Sequence, residues 1–214
     1  MSDSALLIGG AGGFARETIE IVRALEGSKS HKKLGGVLDD DPALFGTTCN
    51  GLPIIGALNA IWDHPGSSLV LAIANSQNVF ARRTIADRLG LPDDRYDTLV
   101  HPSAALGESV SVAAGTIIHA NTTATADIQI GRHIAVMPNV VLTHDNVIAD
   151  YATLASGVML AGGVRVGSGA YLGAGALVRE GLVIGEGALI GMGSIVTKNV
   201  PAGETWFGSP ATKR

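Results

Sequence analysis

The pattern of hydrophobic positions changes its period near residue 100. Before that point, short apolar runs at 5–8, 37–38, 53–56 and 69–73 alternate with segments of helical spacing at 14–25 and 79–89. Short apolar runs that alternate with amphipathic helices are typical of a parallel sheet covered by helices. The pattern therefore predicts a small α/β domain over residues 1–99.

A large aliphatic residue then recurs at every sixth position from Val100 to Val196. Sixteen of these seventeen positions hold Ile, Leu or Val. A period of six matches neither an α-helix nor a single strand, but it is typical of a parallel β-helix with three short strands per coil. The pattern predicts a parallel β-helix of about six coils over residues 100–214, with the aliphatic residues on its axis. The period leaves the handedness of the coils open.

A glycine-rich segment joins the first predicted strand to the first predicted helix. The run Gly10-Ala11-Gly12-Gly13-Phe14-Ala15 fits the alanine variant of the dinucleotide-binding fingerprint. Backbone N–H groups and the helix dipole at such a loop favour a phosphate group. By itself the fingerprint suggests NAD, but a domain of about 100 residues is too short for the two-half fold that binds a whole dinucleotide.

Several motifs together resemble one family of enzymes. They are Gly9-Gly10-Ala11-Gly12-Gly13-Phe14-Ala15-Arg16-Glu17, Leu38-Asp39-Asp40, His101-Pro102-Ser103-Ala104, Thr143-His144-Asp145 and Gly208-Ser209-Pro210-Ala211. With the hexad period, the chain resembles the left-handed β-helix (hexapeptide-repeat) acyltransferases, and more narrowly the bacterial sugar acetyltransferases with a small Rossmann-like N-terminal domain. That family contains N-acetyltransferases for nucleotide-linked 4-amino sugars and the so-called sialic acid O-acetyltransferases. The resemblance implies a left-handed coil, a homotrimer, and acetyl-CoA bound in clefts between neighbouring prisms.

His144 and Asp145 are the candidate catalytic residues. His144 lies two positions after the axis residue Leu142, at a predicted corner where side chains point outward. Acetyl transfer to an amine or hydroxyl needs a base, and imidazole titrates near neutral pH. Asp145 could hold the ring in one tautomer. In the family that the chain resembles, this histidine is the proposed base; the residues alone also allow a solvated histidine.

Gly162 lies three hexads, or one predicted coil, after His144. It should therefore stack on His144 at the same corner, about 4.8 Å away, where its backbone N–H could stabilise an oxyanion. The family has such a contact at the matching glycine, although Gly162 could also simply permit a tight corner.

The resemblance implies further contacts with acetyl-CoA. Ala174 and Met192 match family positions that line the acetyl-CoA cleft. Lys198 continues the column of His144 and Gly162, where a CoA arm would bring its phosphates. Thr153 stands where some relatives carry a second histidine that helps to hold acetyl-CoA.

The resemblance places the acceptor in the N-terminal domain. In the family, the loop that contains Gly10, Gly12 and Gly13 receives a nucleotide sugar. Acidic residues at the positions of Asp39 and Asp40 contact its base or ribose; without the resemblance, they read as an acidic turn after a strand. At position 14, phenylalanine replaces a histidine that many relatives have in this loop.

The composition excludes several other kinds of protein. A formal charge of −4 without a basic block argues against nucleic acid as a partner. The single cysteine, Cys49, excludes an internal disulfide and a cysteine zinc site. No apolar run approaches the ~18 residues of a membrane span, and the N-terminus lacks the basic start of a signal peptide. A cytoplasmic protein without membrane contact is therefore expected.

His101 and His119 raise a metal-dependent alternative. They also lie three hexads apart, so they should stack on one face of the prism, as in β-helix carbonic anhydrases. Those enzymes use three ligand histidines, two of them close in sequence, and this chain has no such close pair. No metal is therefore expected.

The sequence predicts an acetyl-CoA-dependent N-acetyltransferase acting on the amino group of a nucleotide-linked amino sugar. The chain has no nucleophilic cysteine or serine motif, which favours direct transfer in a ternary complex. O-acetylation of a sugar such as sialic acid is the first alternative, because nothing in the sequence separates the two reactions cleanly. A metalloenzyme of the carbonic anhydrase kind and a non-catalytic binding module are the others.

Overall fold

The computed structural model of the chain describes residues 5–25 and 33–214. Residues 1–4, on which the argument about localisation partly rests, lie outside the described residues. Within the described ranges, no helix is both long enough and apolar enough to cross a membrane.

An open sheet forms the N-terminal part of the chain. Its strands are β1 (Ala5–Gly9), β2 (Lys33–Leu38), β3 (Thr48–Cys49), β4 (Leu52–Gly56) and β5 (Ser68–Leu71). Their order across the sheet is β3-β4-β2-β1-β5, and all neighbours are parallel except β3 and β4. β1 is an inner strand because the chain adds β2 and β4 on one side of it and then crosses to add β5 on the other. The predicted α/β domain is confirmed.

The helices follow the predicted spacing. They are α1 (Gly13–Leu25) and α2 (Ala81–Leu89), with short 3-10 helices at Pro42–Leu44, Leu58–Asp63 and Asp93–Arg95. α1 buries Phe14, Ile19 and Val22 on one face and packs that face against the strands.

From Leu99 onward, the chain coils into a prism with three faces. The first face holds Leu99–Val100, Ile117–Ile118, Ala135–Val136, Thr153–Leu154, Tyr171–Leu172 and Leu189–Ile190. The second face holds Ala105–Leu106, Thr123–Ala124, Val141–Leu142, Met159–Leu160, Leu177–Val178 and Ile195–Val196. The third face holds Ser111–Val112, Gln129–Ile130, Val147–Ile148, Arg165–Val166 and Val183–Ile184. These strands confirm the predicted β-helix of about six coils, and the first of them spans the predicted domain boundary.

Backbone hydrogen bonds between coils fix the register of the prism. The Val141 N–H donates to the Val158 carbonyl oxygen at 2.9 Å, and Leu142 pairs with Leu160 in the next coil. The second residue of each strand points into the axis, where Leu142, Leu154 and Ile190 have no exposed surface. A hairpin of Thr205–Gly208 and Ala211–Lys213 extends the first face and covers the end of this axis.

Four-residue corners connect the faces. The first corner joins the first and second faces, the second corner joins the second and third, and the third corner leads back to the first face. From Gly115 to Gly193, the third residue of each corner adopts a left-handed backbone, with φ of 62° at Asp145 and 68° at Gly163. Glycine and, less readily, Asp and Asn tolerate this conformation.

Arg82 of α2 joins the sheet domain to the third corner of the β-helix. Its side chain is 3% exposed. The guanidinium donates to the carbonyl oxygens of Ile73, His133 and Tyr151 at 2.5, 2.9 and 2.7 Å, and to Thr153 Oγ1 at 2.8 Å. All of these acceptors are neutral, and burial lowers the pKa of Arg82 to about 10. A buried cation that depends on fixed dipoles holds α2 in one position on the corner.

Two buried histidines lie where the two parts of the chain meet. His119 packs on Phe14, with 5.4 Å between ring centroids, and His133 stacks on Tyr151 at 5.3 Å. Burial lowers the pKa of His119 and of His133 to about 4. Both rings are therefore neutral in the folded protein at neutral pH.

The free energy of unfolding should fall as the pH is lowered from about 6.5 to about 4. In this window a histidine of the unfolded chain becomes protonated, whereas the two buried rings of the folded protein stay neutral. The unfolded state therefore binds more protons than the folded state. By pH 4, each ring should lower the free energy of unfolding by roughly 3 kcal/mol. Thermal unfolding at a series of pH values checks this, with His119→Phe as the control that should remove about half of the dependence. An unchanged slope in that variant would contradict the assignment.

Candidate active site

A cavity of about 370 Å³ lies at the carboxyl ends of β1, β2 and β5. The predicted acceptor residues Gly10, Gly12, Gly13, Asp39 and Asp40 all line it. The cavity lies where the strand order reverses, which is where open α/β sheets bind ligands. α1 begins at Gly13, so the unpaired N–H groups of its first turn are at this cavity.

Asp39 and Asp40 shape this cavity. Asp39 Oδ2 accepts a hydrogen bond from the Ala11 N–H at 2.7 Å, which ties the glycine-rich loop to β2. Asp40 accepts from the Leu58 N–H at 3.0 Å and pairs with Arg88 at 2.5 Å. Carboxylate oxygens have more than one acceptor site, so both groups can hold these loops and still receive a hydroxyl of a ligand.

His144 and Asp145 form an exposed pair at the second corner. His144 Nδ1 lies 2.7 Å from Asp145 Oδ2, and the side chains are 67% and 65% exposed. The left-handed backbone of Asp145 brings its side chain back to the ring, whereas neighbours on a straight strand face opposite sides. An ionised carboxylate has no proton to give, so Nδ1–H donates and Nε2 keeps its lone pair. Nε2 can therefore accept a proton.

The His144 ring lies over Gly162 of the next coil. A Cβ atom at Gly162 would come within 2.4 Å of His144 Cε1 and 2.6 Å of Nε2. The Gly162 N–H makes no hydrogen bond within residues 5–25 and 33–214. The corner thus combines a proton acceptor with an available N–H donor. The stacking of these two positions agrees with their spacing in the sequence.

The remaining predicted acetyl-CoA residues lie at two different corners. Lys198 is exposed at the second corner, two coils beyond Gly162. Ala174 and Met192 lie at the first corner and line a cavity of about 390 Å³. The second face separates the two corners, by about six residues or roughly 20 Å of extended chain. One chain therefore does not bring all of these residues together.

Thr153 and Phe14 are both buried. Thr153 is 4% exposed on the first face, and its hydroxyl accepts a hydrogen bond from Arg82 at 2.8 Å. Its contact with acetyl-CoA stays a prediction. Phe14 is 8% exposed; it lines the 370 Å³ cavity and packs on His119.

The outer surface of the second face is apolar. Its six outward strand residues are Ala105, Thr123, Val141, Met159, Leu177 and Ile195. Met159, Leu177 and Ile195 are 48%, 39% and 38% exposed, and with Val141 they line a groove of about 450 Å³. Exposed apolar patches of this kind mark interaction surfaces.

The structure buries two polar residues, Arg82 and Asn146, that the sequence analysis did not single out. Arg82 carries no sequence signal, because it is one of several basic residues on α2. Asn146 does carry one, since it interrupts an inward column whose neighbouring members are Ile128 and Val164. It is fully buried, and its Nδ2 donates to the Ala161 carbonyl oxygen at 2.8 Å.

Within residues 5–25 and 33–214, the structure does not bring histidines together into a metal site. Among the described residues, no group of three or more His, Cys, Asp or Glu side chains is placed to hold a metal ion. His101 Nδ1 lies 2.8 Å from Ser103 Oγ, and His119 packs on Phe14.

The fold and this corner define a hexapeptide-repeat acyltransferase joined to a Rossmann-like domain. The PglD N-terminal domain family matches residues 5–89. UDP-N-acetylbacillosamine N-acetyltransferase from Bacillus subtilis (strain 168) is 34% identical over 106 residues, which are 47% of this chain and 46% of that relative. The match therefore spans about half the length of that curated relative.

Two solved structures are similar over nearly the whole chain. PerB from Caulobacter crescentus, in complex with CoA and GDP-perosamine, is 29% identical with a TM-score of 0.86, over 99% of this chain and 97% of that chain. WeeI from Acinetobacter baumannii AYE is 30% identical with a TM-score of 0.84, over 99% of this chain and 100% of that chain. The chain belongs to the nucleotide amino-sugar acetyltransferases that carry a PglD N-terminal domain.

Gly162→Ala should strongly lower acetyl transfer without unfolding the protein. The new Cβ would displace the exposed His144 ring, which can swing away at a cost in stability below about 1 kcal/mol. The rate per folded protein should fall roughly 10²-fold, because the displaced ring no longer acts as the base. The double variant with His144→Ala should be no slower than His144→Ala alone, because the two changes remove one arrangement. A double variant whose loss of rate is the product of the two single losses would contradict this coupling.

Proposed function

We propose that this chain is an acetyl-CoA-dependent N-acetyltransferase that acts on the amino group of a nucleotide-linked amino sugar. The observation that carries the proposal is that the His144 ring lies over Gly162, whose N–H makes no hydrogen bond within the described residues. Acyl transfer from a thioester uses a base close to a hydrogen-bond donor for the oxyanion. A curated relative named as an N-acetyltransferase and a structural relative with CoA and GDP-perosamine bound support the same class of substrates.

The reaction is a direct transfer in a ternary complex. The sugar amine attacks the thioester carbonyl carbon, and His144 Nε2 takes a proton from the nitrogen as the C–N bond forms. The Gly162 N–H stabilises the negative charge on the carbonyl oxygen. Collapse of this intermediate breaks the C–S bond, and the imidazolium returns its proton to the CoA thiolate. Asp145 keeps the ring in one tautomer and stabilises the imidazolium.

The complete site forms between two subunits of a homotrimer. The 370 Å³ cavity and the 390 Å³ cavity adjoin, because Asn75 lines one and Ser76 lines the other. The acceptor cavity therefore lies on the first-corner side, across the second face from His144. Packing of the apolar second face against a second copy brings the first corner of one subunit to the second corner of its neighbour.

The heights of the residues along the prism fit one extended acetyl-CoA. Counted from Leu99, His144 and Gly162 lie on the third and fourth coils, and Ala174 lies on the fifth. Met192 and Lys198 lie on the sixth coil. With coils about 4.8 Å apart, roughly 14 Å separate the heights of His144 and Lys198. A pantetheine arm spans this distance, with its phosphates at the lysine.

The two domains bind different substrates. Residues 1–99 hold the acceptor, with the diphosphate at the glycine-rich loop and the base or ribose at Asp39 and Asp40. Residues 100–214 bind acetyl-CoA and carry the base. Since acetyl-CoA and nucleotide sugars are cytoplasmic metabolites, the enzyme works in the cytoplasm.

His144→Ala should lower kcat by roughly 10²–10⁴ with the fold intact. Thiol release from acetyl-CoA measures this across nucleotide-linked amino sugars, the corresponding hydroxyl sugars and free sialic acid. We expect turnover with the amines. The control variant is His64→Ala, which changes an exposed histidine of the N-terminal domain. Its kcat should match that of the parent. Near-normal turnover of His144→Ala would remove this residue as the base, and turnover with sialic acid alone would establish O-acetylation.

Mixed oligomers should test the shared site. His144→Ala disables the second corner, and Ala174→Trp blocks the first corner. Each variant alone should be inactive. Co-expression should restore about a quarter of the sites, because some clefts then take both corners from intact surfaces. Mixtures that stay inactive would show that one chain supplies both corners.

A further inference from the structure

The corner that holds His144 and Gly162 contains a buried polar side chain that the proposed mechanism does not use. Asn146 points into the axis and has no exposed surface, between the equally buried Ile128 and Val164. Its Oδ1 is buried and has no hydrogen-bond partner in the described part of the chain. An unpaired buried amide oxygen costs stability. An aliphatic residue would satisfy the packing at this position better.

Asn146 holds the peptide group that carries the proposed oxyanion donor. Its Nδ2 donates to the Ala161 carbonyl oxygen at 2.8 Å, and that carbonyl shares one peptide group with the Gly162 N–H. In a trans peptide, C=O and N–H point in opposite directions. A carbonyl held inward by Asn146 therefore directs the Gly162 N–H outward, to the side where the His144 ring lies.

We propose that Asn146 is a positioning residue for acetyl transfer, which orients and polarises the peptide group between Ala161 and Gly162. This inference rests on the proposed function. A hydrogen bond to the carbonyl oxygen makes the N–H of the same peptide a better donor. The donor also keeps its direction while negative charge develops on the thioester oxygen, which is the requirement for electrostatic preorganisation. The unpaired Oδ1 is tolerated because the other end of the amide has this role.

Threonine makes the same kind of bond at the third corner. Thr116 Oγ1 donates to the Gly131 carbonyl oxygen at 2.7 Å, and that pair has the same separation in sequence as Asn146 and Ala161. Thr98 donates to the Ala113 carbonyl oxygen at the same separation. A threonine at position 146 can therefore replace the asparagine as donor. Valine has nearly the same shape but lacks the hydroxyl.

The experiment compares Asn146→Val with Asn146→Thr in the full chain. Asn146→Val should keep or raise the Tm and lower kcat about 10-fold or more, which is part of the effect of losing an oxyanion donor. The KM values for both substrates should change less than about twofold, because the oxygen gains its charge only in the transition state. Asn146→Thr should keep kcat within about threefold of the parent. Thr116→Val, the control for the same bond elsewhere, should lower the Tm and leave kcat unchanged.

Equal kcat values for the valine and threonine variants would overturn the inference, whether both are high or both are low. A fall in kcat of Asn146→Val that only tracks a fall in Tm would overturn it as well. If the parent transfers no acetyl group to any acceptor, the proposed function fails and this inference fails with it. If the parent is active, the proposed function stands, and the two Asn146 variants test this inference alone.

Discussion

The hydrogen bonds between coils impose a rule on the β-helix: from Leu99 to Ile190, every coil consists of three complete hexads. Each backbone donor on a face finds its acceptor just before the equivalent position of the next coil, as in the pairs Ala135 with Ala152 and Thr153 with Ala170. One inserted residue would break this register and move the following side chains out of their columns. The site depends on the rule, because His144 and Gly162 are one coil apart in sequence and meet only if the register holds.

The corners give this repetitive scaffold its chemistry. On a face, alternate residues point either into the axis or outward, and a catalytic pair of neighbours cannot form. At the second corner, the left-handed backbone of Asp145 removes that restriction and allows the 2.7 Å contact with His144. The same turn leaves the ring exposed, where an acyl donor and an acceptor can reach it. Asn146, which follows Asp145, faces the axis, so one corner supplies groups both to solvent and to the interior.

Much of the fold follows from the period of the sequence. The hexads determine the faces and columns, and the alternation of apolar runs and amphipathic segments determines the N-terminal sheet. The short strand β3 and the terminal hairpin were not predicted, because each is too short to show a hydrophobic period. The glycine-rich loop and the acidic turn also line one cavity, since the carboxyl ends of neighbouring parallel strands meet at one edge.

Other features of the site depend on contacts that the hydrophobic period of the sequence does not predict. Spacing places Thr153 on the outside of the first face, but it cannot show that Arg82 covers it. The burial of His133 likewise requires Tyr96 and Tyr151 on two sides of its ring. Columns show which residues stack within one prism, whereas the separation of Ala174 and Met192 from His144 becomes clear only when the corners are assigned.

The anchorage of α2 has a consequence for how such proteins can be recombined. Arg82 inserts a charged group among backbone carbonyls of the β-helix, while its bond to Ile73 reaches the wall of the acceptor cavity. Exchange of the N-terminal domain alone, as a route to a new sugar specificity, would leave those carbonyls facing a foreign surface. Chimaeras should therefore be spliced so that the arginine and its carbonyl receptor are inherited from one parent.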